Sequence, residues 1–185
     1  FGTSTATNAG TIVVNNSQIG MLSFDSSKLT SSGTLEVNGG IGGYVDGIGQ
    51  MTNDGIINTT NSGTGIYIDG QGQNQAQGFN NSSGTINVES GSIGMSGVNN
   101  GIITNNGNIN LVTSNTKIAT SETNQEVGMY VTTNGLATNM GDINVGSNQI
   151  GMYNEGASNS RNYGNILISS QGTGVVLNNS TNGGS

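Results

Sequence analysis

The chain has 185 residues, carries ten acidic side chains against three basic ones, and contains no Cys, His, Pro or Trp. Lack of Cys and His excludes disulfides, thiolate or imidazole metal ligands, and Ser-His-Asp or Cys-His catalytic centres in this segment. The acidic balance argues against nucleic acid and anionic membrane surfaces as partners. No apolar run approaches the length of a membrane-spanning helix, so we expect no membrane insertion by this segment.

An apolar fraction of only 31% and a content of 33 Gly are typical of disordered chains, but the apolar residues here are regularly spaced. Seven copies of an Asn-x-Gly-like motif mark the spacing, and we call the Gly of each copy the first marker. The first markers are Gly10, Gly33, Gly55, Gly84, Gly107, Gly141 and Gly164. A second marker follows, ten residues later in six of the seven copies, at Gly20, Gly43, Gly65, Gly94, Gly128, Gly151 and Gly174. A period of about 23 residues is typical of a solenoid, in which each repeat buries apolar side chains against its neighbours.

Each repeat opens with a weak strand that precedes the first marker. Its apolar position lies four residues before the marker, at Leu29, Met51, Ile103 and Ala137. Six residues before their markers stand Gly49, Gly78, Gly101 and Gly135. These glycines indicate a corner of the chain.

The second strand of each repeat follows the first marker and alternates apolar and polar residues. Its second position is aliphatic in all seven copies: Ile12, Leu35, Ile57, Ile86, Ile109, Ile143 and Ile166. Its fourth position holds Val14, Val37, Thr59, Val88, Leu111, Val145 and Ile168. Because side chains alternate between the two faces of a strand, both positions are predicted to point into the core.

The third strand of each repeat contains the second marker. The residue after that marker is Met21, Tyr44, Ile66, Met95, Met129, Met152 or Val175. We expect these side chains to face inward. In the best-formed copy the alternation places Ile150 and Met152 on one face, with Gly151 and Tyr153 on the other.

Three short strands in a repeat of about 23 residues predict an all-β fold, a parallel β-helix of about seven turns over residues 1–185. Two insertions explain the irregular spacings, one near residues 69–78 and the other near residues 111–125. Both are predicted to project as loops and to leave the register of the turns intact. Helical solenoids are excluded, because they need a 3.6-residue apolar period and tolerate little Gly.

Small polar residues, mostly Asn, recur two residues before the first marker, at Asn8, Ser31, Asn53, Ser82, Asn105, Asn139 and Asn162. Stacked in register, they would form a ladder in which each side chain bonds to the side chains above and below. The alternative is that Asn serves only as a turn residue that tolerates left-handed backbone conformations. A second column, Asn58, Asn87, Asn110 and Asn144, is predicted to face outward.

The charged residues show no pattern of a catalytic or metal site. The three cations, Lys28, Lys117 and Arg161, lie in different turns. Glu126 and Asp142 can approach each other across adjacent turns, but the acids are scattered and we interpret these two as a surface pair. The stretch Gly39–Gly47 weakly resembles a Gly-rich calcium-binding repeat, but we interpret it as a degenerate copy of the third strand of the repeat. We therefore predict no catalytic residue, no metal and no cofactor.

The candidate ligand contacts are Lys117, Tyr130 and Tyr153. Tyr67, Tyr130 and Tyr153 share one place, two residues after the second marker, and are predicted to point outward. Tyr130 and Tyr153 lie in neighbouring turns, so their rings can stack and bind sugars or protein partners, or merely cover the sheet. The longer insertion contains Lys117 and leads directly to Tyr130, and loops on a rigid scaffold commonly carry binding.

The run Asn-x-Gly-x-Ile-x-Val followed by Ile-Gly-Met-Tyr resembles the passenger repeats of large fusobacterial-type autotransporter adhesins, the classical type V secretion system. The resemblance extends over all seven copies and is strongest in Gln149–Ile168 and Glu126–Tyr130. It implies a right-handed β-helix displayed at the cell surface, outside the outer membrane of a Gram-negative bacterium. It also implies a C-terminal translocating barrel in the parent chain, of which this segment is expected to be an internal part.

Together these observations favour an extracellular, non-enzymatic stalk in cell–cell or host adhesion, with ligand binding by its loops. The implied partners are surface proteins or glycans of other bacteria or host cells. The alternative is a carbohydrate-active β-helix enzyme, such as a phage depolymerase or a polysaccharide lyase. A close acidic pair in a groove would favour that enzyme, and a smooth Asn- and Thr-rich surface would favour the stalk.

Overall fold

A computed structural model describes residues 3–72, 76–112, 125–169 and 171–178. Within these ranges the chain forms 21 β-strands and no helix, and the strands fall into three parallel sheets of seven. We name the sheets A, B and C after the order in which each turn visits them. The predicted right-handed parallel β-helix of about seven turns is confirmed.

Sheet A contains the strands that precede the first markers: β1 (Thr5–Asn8), β4 (Lys28–Ser31), β7 (Gln50–Asn53), β10 (Gln77–Asn80), β13 (Ile102–Asn105), β16 (Leu136–Asn139) and β19 (Asn159–Asn162). Sheet B contains β2 (Thr11–Asn15), β5 (Thr34–Asn38), β8 (Ile56–Thr60), β11 (Thr85–Val88), β14 (Asn108–Leu111), β17 (Asp142–Val145) and β20 (Asn165–Ile168). Sheet C contains β3 (Ile19–Asp25), β6 (Ile41–Gly47), β9 (Thr64–Asp69), β12 (Ile93–Val98), β15 (Val127–Val131), β18 (Ile150–Glu155) and β21 (Thr173–Asn178).

The core is a stack of aliphatic layers on the inner face of sheet B. Ile109 pairs in register with Ile86 on one side and Ile143 on the other, and all three are completely buried. The predicted inward column is therefore confirmed, with Ile12 and Ile166 only partly buried in the first and last turns. Thr59 is the polar member of the second column, and its Oγ1 donates a hydrogen bond of 3.1 Å to the carbonyl oxygen of Asn87.

Sheet C bends at the second marker, so that two consecutive residues face inward. Met152 belongs to the core, and a Cβ added to Gly151 would come within 2.7 Å of the carbonyl oxygen of Gly174 and 3.2 Å of Val145. Ile150, although only 7% exposed, is not part of the core cluster and lines an outer groove with Tyr153. The prediction that Ile150 and Met152 share a face is therefore wrong, because strict alternation does not hold through this bend.

The second turn departs from the predicted inward column of sheet C. Gly43, not Tyr44, pairs with Met21 and Ile66, so Tyr44 points outward. Two residues separate β5 from β6, whereas three separate β8 from β9, and this shorter corner shifts the register by one. The side chain of Met51 fills the space inside Gly43, since an added Cβ would come within 2.9 Å of its terminal methyl group.

The fourth turn departs from the predicted Asn column of sheet A. Asn80, not Ser82, pairs with Asn53 and Asn105, because two extra residues stand between β10 and the marker Gly84. The same shift moves Gly78 from the predicted corner into strand β10. There it faces the core, where Ile68 lies 2.7 Å from the position of an added Cβ.

With that correction, the buried amide ladder of sheet A is confirmed. Each Nδ2 donates to the Oδ1 of the next turn at 2.8 Å, along the series Asn53, Asn80, Asn105, Asn139 and Asn162. The outer column of sheet B forms a second ladder, of opposite direction. In this outer ladder each amide donates to the preceding turn, along the series Asn144, Asn110, Asn87 and Asn58, ending on the carboxylate of Glu36.

Replacing Ile143 with Asp tests the inward column. An unpaired carboxylate in this layer is expected to lower the free energy of unfolding by about 4 kcal/mol or more. Ile143→Val is the matched control and is expected to cost only about 1 kcal/mol. Urea titration followed by circular dichroism measures both variants, and equal midpoints for Ile143→Asp and the parent would contradict the assignment.

Replacing Asn105 with Ala tests the buried ladder against the outer one. The change removes the side-chain acceptor of Asn80 Nδ2 and the donor to Asn139 Oδ1, both buried, so we expect a loss of about 2–3 kcal/mol. Asn110→Ala interrupts the half-exposed outer ladder, where water replaces the lost bonds, and should cost below about 1 kcal/mol. Thermal and urea unfolding compare the two, and an equal effect would show that burial does not govern the ladders.

Candidate functional site

The tyrosines of sheet C lie in a single column on its outer face. Strand register places one residue of each turn in this column: Leu22, Tyr44, Tyr67, Ser96, Tyr130, Tyr153 and Val176. The four tyrosines therefore form two pairs of neighbouring turns, separated by Ser96. Turns 2 and 3 supply the first pair, and turns 5 and 6 supply the second.

Tyr130 and Tyr153 stack as the sequence suggested. Their ring centroids are 5.7 Å apart and the ring planes differ by 25°. The Tyr130 hydroxyl donates to the carboxylate of Glu155, and Asn178 Nδ2 donates to the Tyr153 hydroxyl at 2.9 Å. Both rings are therefore held at the face and at the hydroxyl, which leaves them little freedom to reorient.

The environment of Tyr130 favours its neutral phenol. Partial burial raises the pKa of Tyr130 well above its ordinary value, and the hydrogen bond to Glu155 and the negative charge of Glu155 raise it further. Tyr130 is thus a fixed hydrogen-bonding group and not an acid or base near neutral pH.

A groove of about 830 Å³ runs beside this pair. Apolar side chains from three turns, Ile93, Val127 and Ile150, line one part of it, and polar groups including Gln125 and Glu155 line another. A surface with rigid aromatic rings, apolar walls and a few polar groups can bind a sugar or a short peptide segment.

The first pair, Tyr44 and Tyr67, was missed in part by sequence reasoning. Tyr44 and Tyr67 meet edge to face, with ring centroids 5.2 Å apart. Two residues further along the same strands, Asp46 and Asp69 pair directly with each other. Counting from Gly43 as the second marker assigned Tyr44 to the inward column. In both β6 and β9, however, a Tyr stands two residues before an acidic residue, and this shared spacing could have identified the pair.

Amide groups hold the two carboxylates of this pair. The side-chain amide of Gln71 donates to Asp46, and Asn99 Nδ2 and the Gln71 backbone N–H both donate to Asp69 Oδ1 at 3.0 Å. Burial raises the pKa of Tyr44 above its ordinary value, and the charges of Asp46 and Asp69 raise it further. The outer face of turns 2 and 3 is therefore a site of negative potential.

The structure tests the remaining sequence predictions only in part. Lys117 lies outside the described residues, so its place beside Tyr130 stays a prediction, although Gln125 after it lines the groove. Glu126 accepts a hydrogen bond from the Gly91 N–H and Asp142 accepts one from Asn165, so the two acids have separate partners.

The described ranges contain no group of three or more acidic side chains that could hold a metal ion. No helix there has the length and apolar character needed to cross a membrane.

Comparison with known proteins finds a family match. The family described as the BigA third pectate lyase-like domain matches residues 46–141, which is just over half of the chain. No curated protein and no solved structure matches the chain. The matched range extends from the end of β6 to just beyond β16 and includes Asp46, Asp69, Tyr67 and Tyr130. A parallel β-helix with three sheets agrees with the fold that the family's description names, and the chain belongs to the family of BigA third pectate lyase-like domains.

Proposed function

We propose that the chain is a rigid segment of a surface-displayed bacterial adhesin passenger, and that its Tyr130–Tyr153 face contacts the partner. Membership of the BigA domain family supports a passenger-type region of a bacterial surface protein. The repeat resemblance supports the finer assignment to a fusobacterial-type autotransporter, exported across the outer membrane by a C-terminal barrel of the parent chain.

The stacked pair of Tyr130 and Tyr153 carries the proposal. Most of the outer surface consists of Asn, Ser, Thr and Gly, whereas this face presents two aromatic rings beside a groove. Ring–ring contact and hydrogen bonds from Tyr130 to Glu155 and from Asn178 to Tyr153 fix the rings before any partner binds. Prior ordering of this kind lowers the entropy lost on association.

The constant pairing register of the strands supports the proposed role as a rigid stalk. Each sheet continues without interruption through seven strands, so the face that carries the tyrosines has no hinge within the described turns. A solenoid of this kind displays a binding surface at a fixed distance along its axis. We propose surface proteins or glycans of other bacteria or host cells as the partners.

A β-helix enzyme that acts on carbohydrate is the second candidate. One observation favours it, the direct pairing of Asp46 and Asp69 on the outer face of sheet C. Glycoside hydrolases use two carboxyl groups as acid and base or nucleophile, and metal-assisted sites add a bound cation. The cations of the described chain, Lys28 and Arg161, both lie on sheet A. If the chain is such an enzyme, it releases reducing ends from a polysaccharide, and the Asp46→Asn variant loses this activity.

Changing Tyr130 and Tyr153 together to Ser tests the adhesive face. Beads coated with the chain are expected to attach to bacterial or epithelial cells, and the double variant should reduce attachment at least about tenfold. Lys117→Ala is expected to weaken attachment by a smaller factor, since an exposed charge contributes little. The measurement is the number of beads retained under flow.

The matched control for this test is Tyr163→Ser. Tyr163 is 70% exposed and follows strand β19 of sheet A, on a different face of the solenoid. This variant should retain full attachment. Undiminished attachment by the folded Tyr130/Tyr153 variant would place the binding site elsewhere in the parent and leave this segment as a spacer.

A further inference from the structure

We infer that the outer face of sheet C is a track for a linear glycan without acidic groups, with the two tyrosine pairs as its aromatic subsites. The inference rests on the proposed function. It specifies the class of ligand and adds Tyr44 and Tyr67 to the contact surface.

The two pairs are aligned along the axis of the solenoid. All four tyrosines belong to one register column, and only the small side chain of Ser96, which is 2% exposed, stands between the pairs. Strands in neighbouring turns lie about 4.8 Å apart, so the centres of the pairs are separated by about 14 Å. One extended oligosaccharide spans that distance, and a single sugar does not.

Each pair has the features of a sugar subsite. A tyrosine ring presents a flat apolar face, which suits the C–H face of a pyranose, while its hydroxyl adds a hydrogen-bonding group. The rings are ordered by each other, with centroids 5.2 Å apart in the first pair and 5.7 Å apart in the second. Little side-chain entropy is then lost when a ligand stacks on them.

Polar groups lie in equivalent places beside both pairs. Asp46 and Asp69 stand two residues after Tyr44 and Tyr67, and Glu155 stands two residues after Tyr153, all on the outer face. Both protein hydrogen bonds to Asp69 end on Oδ1, so among the described residues Oδ2 has no protein donor and can accept from a ligand hydroxyl. Each subsite thus offers tyrosine rings on which a sugar can stack and a neighbouring carboxylate that can accept a hydrogen bond from it.

The charge of the track selects against acidic glycans. Carboxylates accompany both pairs, whereas the described cations, Lys28 and Arg161, lie on sheet A. The formal net charge of −7 extends the same repulsion over the whole rod. Uronic acid polymers are therefore disfavoured, and neutral or N-acetylated hexose chains fit the site.

The test is binding of linear hexasaccharides to the full chain by titration calorimetry. The probes are the β-1,4-linked hexamers of N-acetylglucosamine and of glucose, with polygalacturonate as the acidic comparison. We expect at least one neutral hexamer to bind and polygalacturonate not to bind. Tyr44→Ala/Tyr67→Ala and Tyr130→Ala/Tyr153→Ala should each weaken hexamer binding by about tenfold or more. The corresponding disaccharide should bind much more weakly, because it reaches only one pair.

Matched variants separate stacking, charge and folding. Tyr44→Phe/Tyr67→Phe retains the rings and should retain most of the affinity, and Tyr163→Ala should bind like the parent. Asp46→Asn/Asp69→Asn should allow polygalacturonate to bind. Circular dichroism establishes that each variant is folded before its binding is compared.

Several results would overturn the inference. One is failure of both neutral hexamers to bind the parent chain, and another is loss of binding in only one of the two tyrosine double variants. Continued rejection of polygalacturonate by Asp46→Asn/Asp69→Asn would contradict the role of charge. If cells still attach through Tyr130 and Tyr153 while no hexamer binds, the adhesive function stands and its partner is a protein. If a hexamer binds through both pairs but no cell attaches, the track stands and the adhesive function fails.

Discussion

Each strand of this protein bonds only to the equivalent strands one turn before and one turn after it. A residue therefore shares its surroundings with the residues above and below it, and a whole column must suit one environment. Ile109 between Ile86 and Ile143 shows the effect in the core, where all three side chains are completely buried. The Asn ladders and the tyrosine column follow from the same parallel pairing, applied to amides and to aromatic rings. Core, ladders and candidate site are thus three consequences of one register.

The sequence predicted these columns correctly wherever the corners of the turn have constant length. Aliphatic residues after the first marker could be placed because two alternate positions remain apolar through seven copies. Tyr44 and Asn80 could not, because the corner after β5 is one residue shorter and the loop after β10 is two residues longer. Counting residues from a Gly marker does not reveal where the chain turns. In both turns a Gly enters the inward column, and a side chain from elsewhere, Met51 or Ile68, fills the space it leaves.

The candidate site was predictable in its rings and not in its surroundings. Tyr130 and Tyr153 share a repeat position, and a shared position in neighbouring turns implies contact. The hydrogen bonds that hold them run between turns, from Tyr130 to Glu155 and from Asn178 to Tyr153, and a shared repeat position does not show which side chains bond. The apolar groove beside them arises from the bend at the second marker, which turns Ile150 outward. Alternation alone assigns that side chain to the core.

The chemical nature of the ladders has a consequence for the medium in which the rod works. Nearly every side-chain bond along the two ladders joins one uncharged amide to another, and only Glu36 at the end of the outer series is ionised. Dissolved ions screen interactions between charges and have little effect on bonds between neutral dipoles. Carboxylate titration likewise leaves the buried series unchanged, since none of its members ionises. A solenoid linked by neutral amides keeps its structure at low salt, at high salt and at mildly acidic pH. A solenoid stabilised by ion pairs would lose stability under the last two conditions.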